Sequence, residues 1–291
     1  MFVTRLLSGI VLVVIVTVMN VCGGAVMDLI LLAVSIIGLN EFYRAVAVGT
    51  EKKKNCFEWI GIIGTVLYFV AGFASYLVNT DFGEAPRVSD SVVSMNDLMA
   101  VIVFVLLGMM GAYVFLFPKY EGGTVMKAFF GFVYVTVMLH FIFMTRVLYH
   151  GEYLVWLIFI VSWVCDASAY CVGMLIGKHK LAPVLSPKKT IEGAVGGVAG
   201  STIVSCLFAF LLLNKGFIDE NLIWLFAIIG IVGAVASQIG DLAASAFKRN
   251  YNIKDYGNLI PGHGGIIDRL DSVIVSAPMI YFLAQLLGRL R

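Results

Sequence analysis

Reactive side chains are concentrated in one 27-residue segment, Ser245–Asp271, which lies between two long apolar runs. Eleven of its side chains fall into three groups: the basic Lys248, Arg249, Lys254 and Arg269, the acidic Asp255, Asp268 and Asp271, and the hydrogen-bonding Ser245, Asn252, Asn258 and His263. Basic side chains bind phosphates, and carboxylates bind divalent metal ions. The segment therefore predicts a phosphoryl-transfer site at a membrane boundary.

The carboxylates allow two interpretations. Asp268 and Asp271 are three residues apart, a spacing that places both on one face of a helix, and Asp241 directly follows an apolar run. Such oxygen ligands suit magnesium, which proteins usually hold by one or two carboxylates together with waters and substrate phosphates. The alternative is a structural network in which Asp268 pairs with Arg269 or Lys254.

Asp166 is a further candidate because it lies inside an apolar run. On insertion scales, an ionised carboxylate at the centre of a membrane helix costs at least about 2.5 to 3.5 kcal/mol unless it faces a polar cavity or partner. We therefore expect Asp166 either to bind substrate or to hydrogen-bond a neighbouring helix. Asp28 is similarly placed, but no motif surrounds it, which favours a structural role.

The segment Ser186–Gly193 has the pattern of a helix start, with Ser186 as the cap and Pro187 in the first turn. A helix N-terminus carries partial positive charge, so the adjacent Lys188 and Lys189 would complete an anion site for nucleotide or lipid phosphates. The alternative is that both lysines are topology signals on the cytoplasmic side.

Glycines mark two further features. Gly193, Gly196, Gly197 and Gly200 form two overlapping GxxxG spacings, which are typical of closely packed membrane helices. His263 lies in the run PGHGG, where glycines allow a ligand to approach closely. We expect His263 to contact phosphate or organise the loop rather than to act as a general base.

Composition excludes a soluble protein. Hydrophobic residues make up 60% of the 291-residue chain and charged residues only 13%, against about 25% charged in soluble domains. The chain is therefore expected to be an integral membrane protein. Its net charge of +2 is too small to indicate a nucleic-acid-binding surface.

Nine apolar segments approach the roughly 20 residues that a helix needs to cross the hydrocarbon core. They predict an all-α integral membrane protein, a polytopic bundle of about nine transmembrane helices with a polar cytoplasmic active-site region. The first segment lacks a cleavage site and is expected to be retained, and the eighth is expected to span Leu222 to Gly240. Residues 1–150 would form a scaffold and residues 151–291 would carry the catalytic motifs, within one membrane domain.

The distribution of lysine and arginine favours a cytoplasmic N-terminus. With that orientation and nine spans, fifteen of the twenty basic residues fall on the cytoplasmic side. The polar segments after the sixth and eighth spans would then share the cytoplasmic face, where soluble nucleotides are available.

The segment Ser245–Asp271 resembles the signature of the phosphatidate cytidylyltransferases, the CDP-diacylglycerol synthases. The resemblance extends to Asp166–Tyr170, to Ser186–Gly193 and to the pair Gly240 and Asp241. It implies an enzyme of phospholipid biosynthesis that transfers CMP from CTP to phosphatidic acid, giving CDP-diacylglycerol and pyrophosphate.

The resemblance also implies roles for individual residues, and it favours the metal interpretation of the carboxylates. The cofactor would be Mg²⁺, with Asp241, Asp268 and Asp271 as its ligands. The catalytic residues would be Asp241, Asp268, Asp271, Lys248 and His263. The substrate-binding residues would be Asp166, Ser186, Lys188, Lys189, Ser245, Arg249, Lys254, Asp255 and Arg269.

The expected partners are CTP, phosphatidic acid and membrane lipid, without nucleic acid, and a homodimer is compatible with the sequence. The expected location is the cytoplasmic membrane of a prokaryote, with the active site facing the cytoplasm. Two other functions stay open at this point. A CTP-dependent lipid kinase would release CDP instead of pyrophosphate, and a non-catalytic lipid transporter would show no magnesium-dependent turnover of CTP.

Overall fold

The computed structural model describes residues 2–49, 54–79, 93–219, 222–260 and 264–288. The chain divides into two compact units. The first unit comprises Met1–Tyr149 with Ile253–Arg269, and the second comprises His150–Asn252 with Leu270–Arg291. The reactive segment near the C-terminus is therefore divided between the two units.

Helices build the first unit. They are α1 (Phe2–Cys22), α2 (Gly24–Ala45), α3 (Cys56–Asn79), α4 (Met95–Phe115), α5 (Gly122–Gly131) and α6 (Met138–Arg146), and a π-helical segment, Phe132–Val137, joins α5 to α6. Gly23 connects α1 to α2 with a φ of 58°, a conformation that glycine adopts readily. A Cβ there would also lie 3.1 Å from the Arg146 guanidinium, so the backbone conformation and the close neighbour both favour glycine.

The second unit combines long helices with one short hairpin. Its elements are α7 (Gly151–Ile176), the antiparallel strands β1 (Lys180–Ala182) and β2 (Ser186–Thr190), α8 (Ile191–Asn214), α9 (Ile223–Asn250) and most of α10 (Ile267–Gly288). Asp268 and Asp271 lie on this one helix, as their spacing predicts.

Among the described residues, eight helices are long and apolar enough to cross a membrane when Gly122–Arg146 is counted as one. A shorter apolar helix, Leu7–Cys22, precedes them. Large apolar side chains on these helices are exposed, for example Phe104 at 72% and Val195 at 66%, and a lipid environment would cover them. The predicted fold class, an all-α polytopic membrane protein, is confirmed.

Interhelical hydrogen bonds and aromatic packing hold the first unit together. The Tyr43 hydroxyl donates to the backbone oxygen of Ala128 at 2.9 Å, and the Thr65 and Thr136 hydroxyls share a hydrogen bond at 2.7 Å. Such bonds stabilise helix contacts in lipid, where water offers no alternative partner. They tie α2 to α5 and α3 to the π-helical segment.

Glycines set the spacing between α7 and α8 in the second unit. A Cβ at Gly193 would lie 2.7 Å from the backbone oxygen of Ala169, and one at Gly197 would lie 2.9 Å from that of Cys165. These distances are too short for any side chain, so the two backbones touch only because glycine occupies both positions. The packing role predicted for the GxxxG spacings is confirmed.

The predicted end of the eighth span at Gly240 is wrong, because α9 continues to Asn250. Hydropathy marks where the apolar run stops, but neither glycine nor proline interrupts residues 241–250, and the helix continues. Ser245, Lys248 and Arg249 therefore lie on a helix rather than in a loop. Lys248 and Arg249 occupy its last turn, where cations complement the helix dipole.

Candidate active site

A cavity of about 410 Å³ lies within the second unit, among α7, the hairpin, α8 and α9. Five of the predicted site residues line it, namely Asp166, Ser186, Lys188, Lys189 and Asp241. Apolar side chains, among them Met174 and Leu181, complete its wall. The cavity thus combines anionic and cationic groups with an apolar wall, as a site for an amphipathic phosphate ester requires.

The hairpin places the two lysines at the cavity. Lys180 pairs with Thr190, and Ala182 pairs with Ser186, so β2 runs antiparallel to β1 directly before α8. The prediction that Ser186 caps a helix is wrong, because Ser186–Thr190 is a strand. Pairing with β1, which the local sequence does not reveal, holds this segment extended.

Thr190 is the residue that caps α8. Its side-chain oxygen accepts a hydrogen bond from the Gly193 N–H at 3.1 Å, which satisfies one of the free donors of the first turn. Lys188 and Lys189 therefore lie just before a helix N-terminus, because the cap of α8 is four residues later in the sequence than predicted. The positive end of α8 still lies beside the cavity.

A second contact fixes the base of the hairpin to α8. The Glu192 carboxylate accepts hydrogen bonds from the backbone N–H groups of Lys178 and His179, and it contacts His179 Nδ1 at 2.6 Å. The backbone N–H of Ile191 donates to the His179 oxygen at 2.9 Å. These contacts attach the start of the hairpin to the start of α8.

Lys189 and Asp241 form an ion pair across the cavity, between the ammonium group and carboxylate oxygen Oδ2. Their side chains are 28% and 25% exposed, so both are partly shielded from water. The ammonium group could bind a nucleotide phosphate, and the carboxylate could bind a metal ion. In the absence of both ligands, the two side chains bind each other.

Asp271 belongs to the same charged group. Asp241, Lys248 and Asp166 are all close enough to act on it electrostatically. Close contact between α9 and α10 explains this arrangement, since a Cβ at Gly240 would lie 2.7 Å from the Asp271 backbone oxygen. Glycine at position 240 therefore brings the neighbouring Asp241 beside the start of α10.

The carboxylates of the second unit suit a magnesium ion that is completed by substrate. Within the part of the chain that the structure describes, no three acidic, histidine or cysteine side chains stand close enough to hold a metal alone. Magnesium does not need such a cage, because it commonly binds one or two carboxylates together with phosphates and waters. Asp241 and Asp271 fit this pattern.

The cavity lining does not include Ser245, Lys248 or Arg249, which lie on α9 in the second unit. Four further predicted residues that the structure describes lie in the first unit, at the end of the reactive segment. Lys254, Asp255 and Arg269 are exposed, whereas Asp268 is buried. The Asp268 oxygen Oδ2 accepts hydrogen bonds from the backbone N–H groups of Tyr256 at 2.8 Å and Gly265 at 3.0 Å. Asp268 therefore organises this segment through at least one of its oxygens. His263 lies outside the described residues.

Two residues at the cavity were missed by sequence reasoning. Gln238 lines the cavity and donates from Nε2 to the Ala194 backbone oxygen at 2.9 Å, which links α9 to α8. A polar amide within an apolar run was the available signal. Thr190 carried a weaker signal, a hydroxyl residue followed by an acid two positions later.

Comparison with known proteins identifies the family to which the chain belongs. Residues 3–287 match the cytidylyltransferase family. Over 126 residues the chain is 47% identical to a protein of Staphylococcus haemolyticus (strain JCSC1435) named phosphatidate cytidylyltransferase, covering 43% of this chain and 46% of that protein. A protein of the same name from Staphylococcus saprophyticus subsp. saprophyticus is 42% identical over 151 residues, or 52% of this chain and 55% of that protein.

The aligned part of the chain thus spans about half the length of the curated relatives that it matches. The family match, by contrast, covers nearly all of the chain. The chain belongs to the cytidylyltransferase family.

Proposed function

We propose that this member of the cytidylyltransferase family transfers CMP from CTP to phosphatidic acid, giving CDP-diacylglycerol and pyrophosphate. The observation that carries the proposal is the cavity among the membrane helices of the second unit, where Lys188 and Lys189 face Asp166 and Asp241. The names of the bacterial relatives support the choice of substrates. The apolar wall of the cavity supports a lipid as one of them.

In the reaction, a phosphate oxygen of phosphatidic acid attacks the α-phosphorus of CTP, and a new P–O–P bond forms. The bond between the α-phosphorus and the bridging oxygen breaks, and pyrophosphate leaves with its electron pair. A phosphate monoester has a second pKa of about 6, so the attacking oxygen is already ionised at neutral pH. The reaction needs no strong base, and the protein must mainly align the two phosphates and offset their charge.

Lys188 and Lys189 would offset that charge by binding phosphate oxygens beside the N-terminus of α8. Lys189 would leave Asp241 to do so, because magnesium would take its place at that carboxylate. On α9, Ser245, Lys248 and Arg249 would contribute further phosphate contacts. Lys254, Asp255 and Arg269, in the first unit, stay predicted substrate-binding residues.

Magnesium is the proposed cofactor, and Asp241 and Asp271 would hold it together with phosphate oxygens. When bound, the ion would neutralise charge on the phosphates of CTP as pyrophosphate leaves. Asp268 also stays a predicted magnesium ligand, although one of its oxygens already accepts two backbone hydrogen bonds. Displacement of Lys189 from Asp241 by a phosphate would free that carboxylate for the ion.

The proposed location is the cytoplasmic membrane of a bacterium, with the cavity open to the cytoplasm. The membrane helices and the bacterial relatives support it. The cytoplasmic orientation rests on the distribution of lysine and arginine. A homodimer stays a prediction.

Purified protein in detergent, supplied with CTP, phosphatidic acid and magnesium, provides the test. Lys188→Ala and Lys189→Ala should each lower kcat/KM by about 10- to 100-fold, since each loses a hydrogen bond to a charged group. Lys180→Ala is the matched control, because Lys180 lies on the same hairpin but does not line the cavity. Equal effects in all three variants would contradict the assignment, as would release of CDP in place of pyrophosphate.

A further inference from the structure

Glu41 on α2 is a buried carboxylate that the reaction described above does not use. Its side chain belongs to the first unit and is only 6% exposed. Burying a carboxylate is unfavourable unless hydrogen bonds replace the lost water. For Glu41, a hydrogen bond that replaces water comes from a residue 226 positions away in the sequence, near the end of the reactive segment.

The Glu41 oxygen Oε2 accepts a hydrogen bond from the backbone N–H of Ile267 at 3.2 Å, and the backbone of Ile266 also bonds to this carboxylate. Ile267 is the first residue of α10, so its N–H has no partner within that helix. A carboxylate beside such an N-terminus satisfies the free N–H and complements the helix dipole. Glu41 thus caps α10 from another helix.

Two glycines of the reactive segment make this approach possible. A Cβ added at Gly257 would collide with the Glu41 carboxylate, and so would one at Gly265. The segment is closed on itself by a hydrogen bond from the Ile260 N–H to the Gly264 oxygen at 2.9 Å. The Glu41 carboxylate therefore sits directly against the segment on both sides of residues 261–263.

Neighbouring contacts anchor the same segment to α2. The Tyr256 ring stacks on Phe42, with centroids 6.2 Å apart and planes 24° apart. Asp268 binds the segment through Tyr256 and Gly265, as described above, and it also interacts electrostatically with Glu41. Two carboxylates, that of Glu41 on α2 and that of Asp268 in the segment itself, thus accept hydrogen bonds from the backbone of this segment.

We infer that Glu41 is a positioning residue: by binding the backbone at Ile266 and Ile267 it fixes the conformation of the segment and, through it, the placement of Asp268 and Lys254. Its effect on turnover rests on the proposed function, whereas its effect on the segment does not. Loss of the carboxylate would leave the backbone N–H of the buried Ile267, and the backbone of Ile266, without this partner.

Hydrogen–deuterium exchange of the purified protein measures the positioning directly. In Glu41→Ala the amides of Ile266 and Ile267 should exchange about 10- to 100-fold faster, the factor expected for losing a hydrogen bond to a charged group. Glu41→Gln keeps an oxygen acceptor and should restore most of the protection. Asp28→Ala is the control, because Asp28 is buried to the same 6% on the same helix and should leave this segment unchanged.

Turnover of CTP with phosphatidic acid gives the second readout. Glu41→Ala should lower kcat by about tenfold or more, and Glu41→Gln should recover most of it. Unchanged exchange at Ile266 and Ile267 in Glu41→Ala would overturn the inference, and so would equal changes in Asp28→Ala. If the parent protein shows no turnover, the proposed function fails while the exchange data still decide the positioning role.

If Glu41→Ala does not fold, a substitution within the reactive segment provides the test. Gly265→Ala would push the carboxylate away without removing it, and it should increase exchange at the same amides. Gly111→Ala is its control, since an added Cβ there meets nothing within 4 Å. Protection in Gly265→Ala equal to that in Gly111→Ala would contradict the inference.

Discussion

The ion pair between Lys189 and Asp241 predicts an energetic coupling that ligand should reduce. The perturbation is a double-mutant cycle of Lys189→Met, Asp241→Asn and the double variant, measured by unfolding in detergent. Exposed ion pairs contribute about 0 to 1 kcal/mol, and breaking buried pairs costs about 3 to 5 kcal/mol. With side chains 28% and 25% exposed, this pair lies between these limits. We expect a coupling of about 1 to 2 kcal/mol.

The same cycle measured with saturating CTP and magnesium tests whether the two residues change partners. Phosphate should bind the ammonium group and magnesium the carboxylate, so the coupling between Lys189 and Asp241 should fall below about 0.5 kcal/mol. If the coupling is near zero without ligand, Lys189 and Asp241 do not form a stabilising ion pair in the free protein. A coupling that CTP leaves unchanged would refute the exchange of partners.

Three further predictions follow from the site and its supports. Asp268→Asn should lower kcat and raise the magnesium concentration for half-maximal activity by about 10- to 100-fold; unchanged magnesium titrations would show that Asp268 acts only on the segment. Thr190→Ala should lower the free energy of unfolding by about 1 kcal/mol through loss of the cap, whereas Ser186→Ala, on the strand, should not; equal losses would contradict the assigned cap. Gly193→Ala should separate α7 from α8 and lower the unfolding temperature, with Gly111→Ala as the neutral control in the same thermal scan; equal temperatures would refute close packing at Gly193.

The sequence predicted the features that depend on composition and short spacings. Long apolar runs became membrane helices because the lipid requires every backbone group to be bonded within a helix. The spacing of Asp268 and Asp271 placed both on α10, and the GxxxG glycines gave close contact with α7. In each case the controlling interaction lies within a few residues or follows from the solvent.

The features that the sequence did not predict depend on partners far along the chain or on more than hydropathy. Ser186 and Thr190 both suit a helix cap, and pairing of β2 with β1 decides between them. The end of α9 at Asn250 follows from helix propensity, since hydropathy ceases to be informative after Gly240. Glu41 stands near the end of an apolar segment, where a charge is ordinary, and its partner is 226 residues away.

Position-specific labelling shows whether the α-phosphoryl group of CTP passes to the lipid. Purified protein is given phosphatidic acid, magnesium and CTP labelled with ³²P at either the α or the γ phosphate. We expect the α label to enter the lipid fraction and the γ label to appear only in pyrophosphate, in equal amounts. Transfer of γ label to lipid, with α label released as CDP, would contradict this expectation.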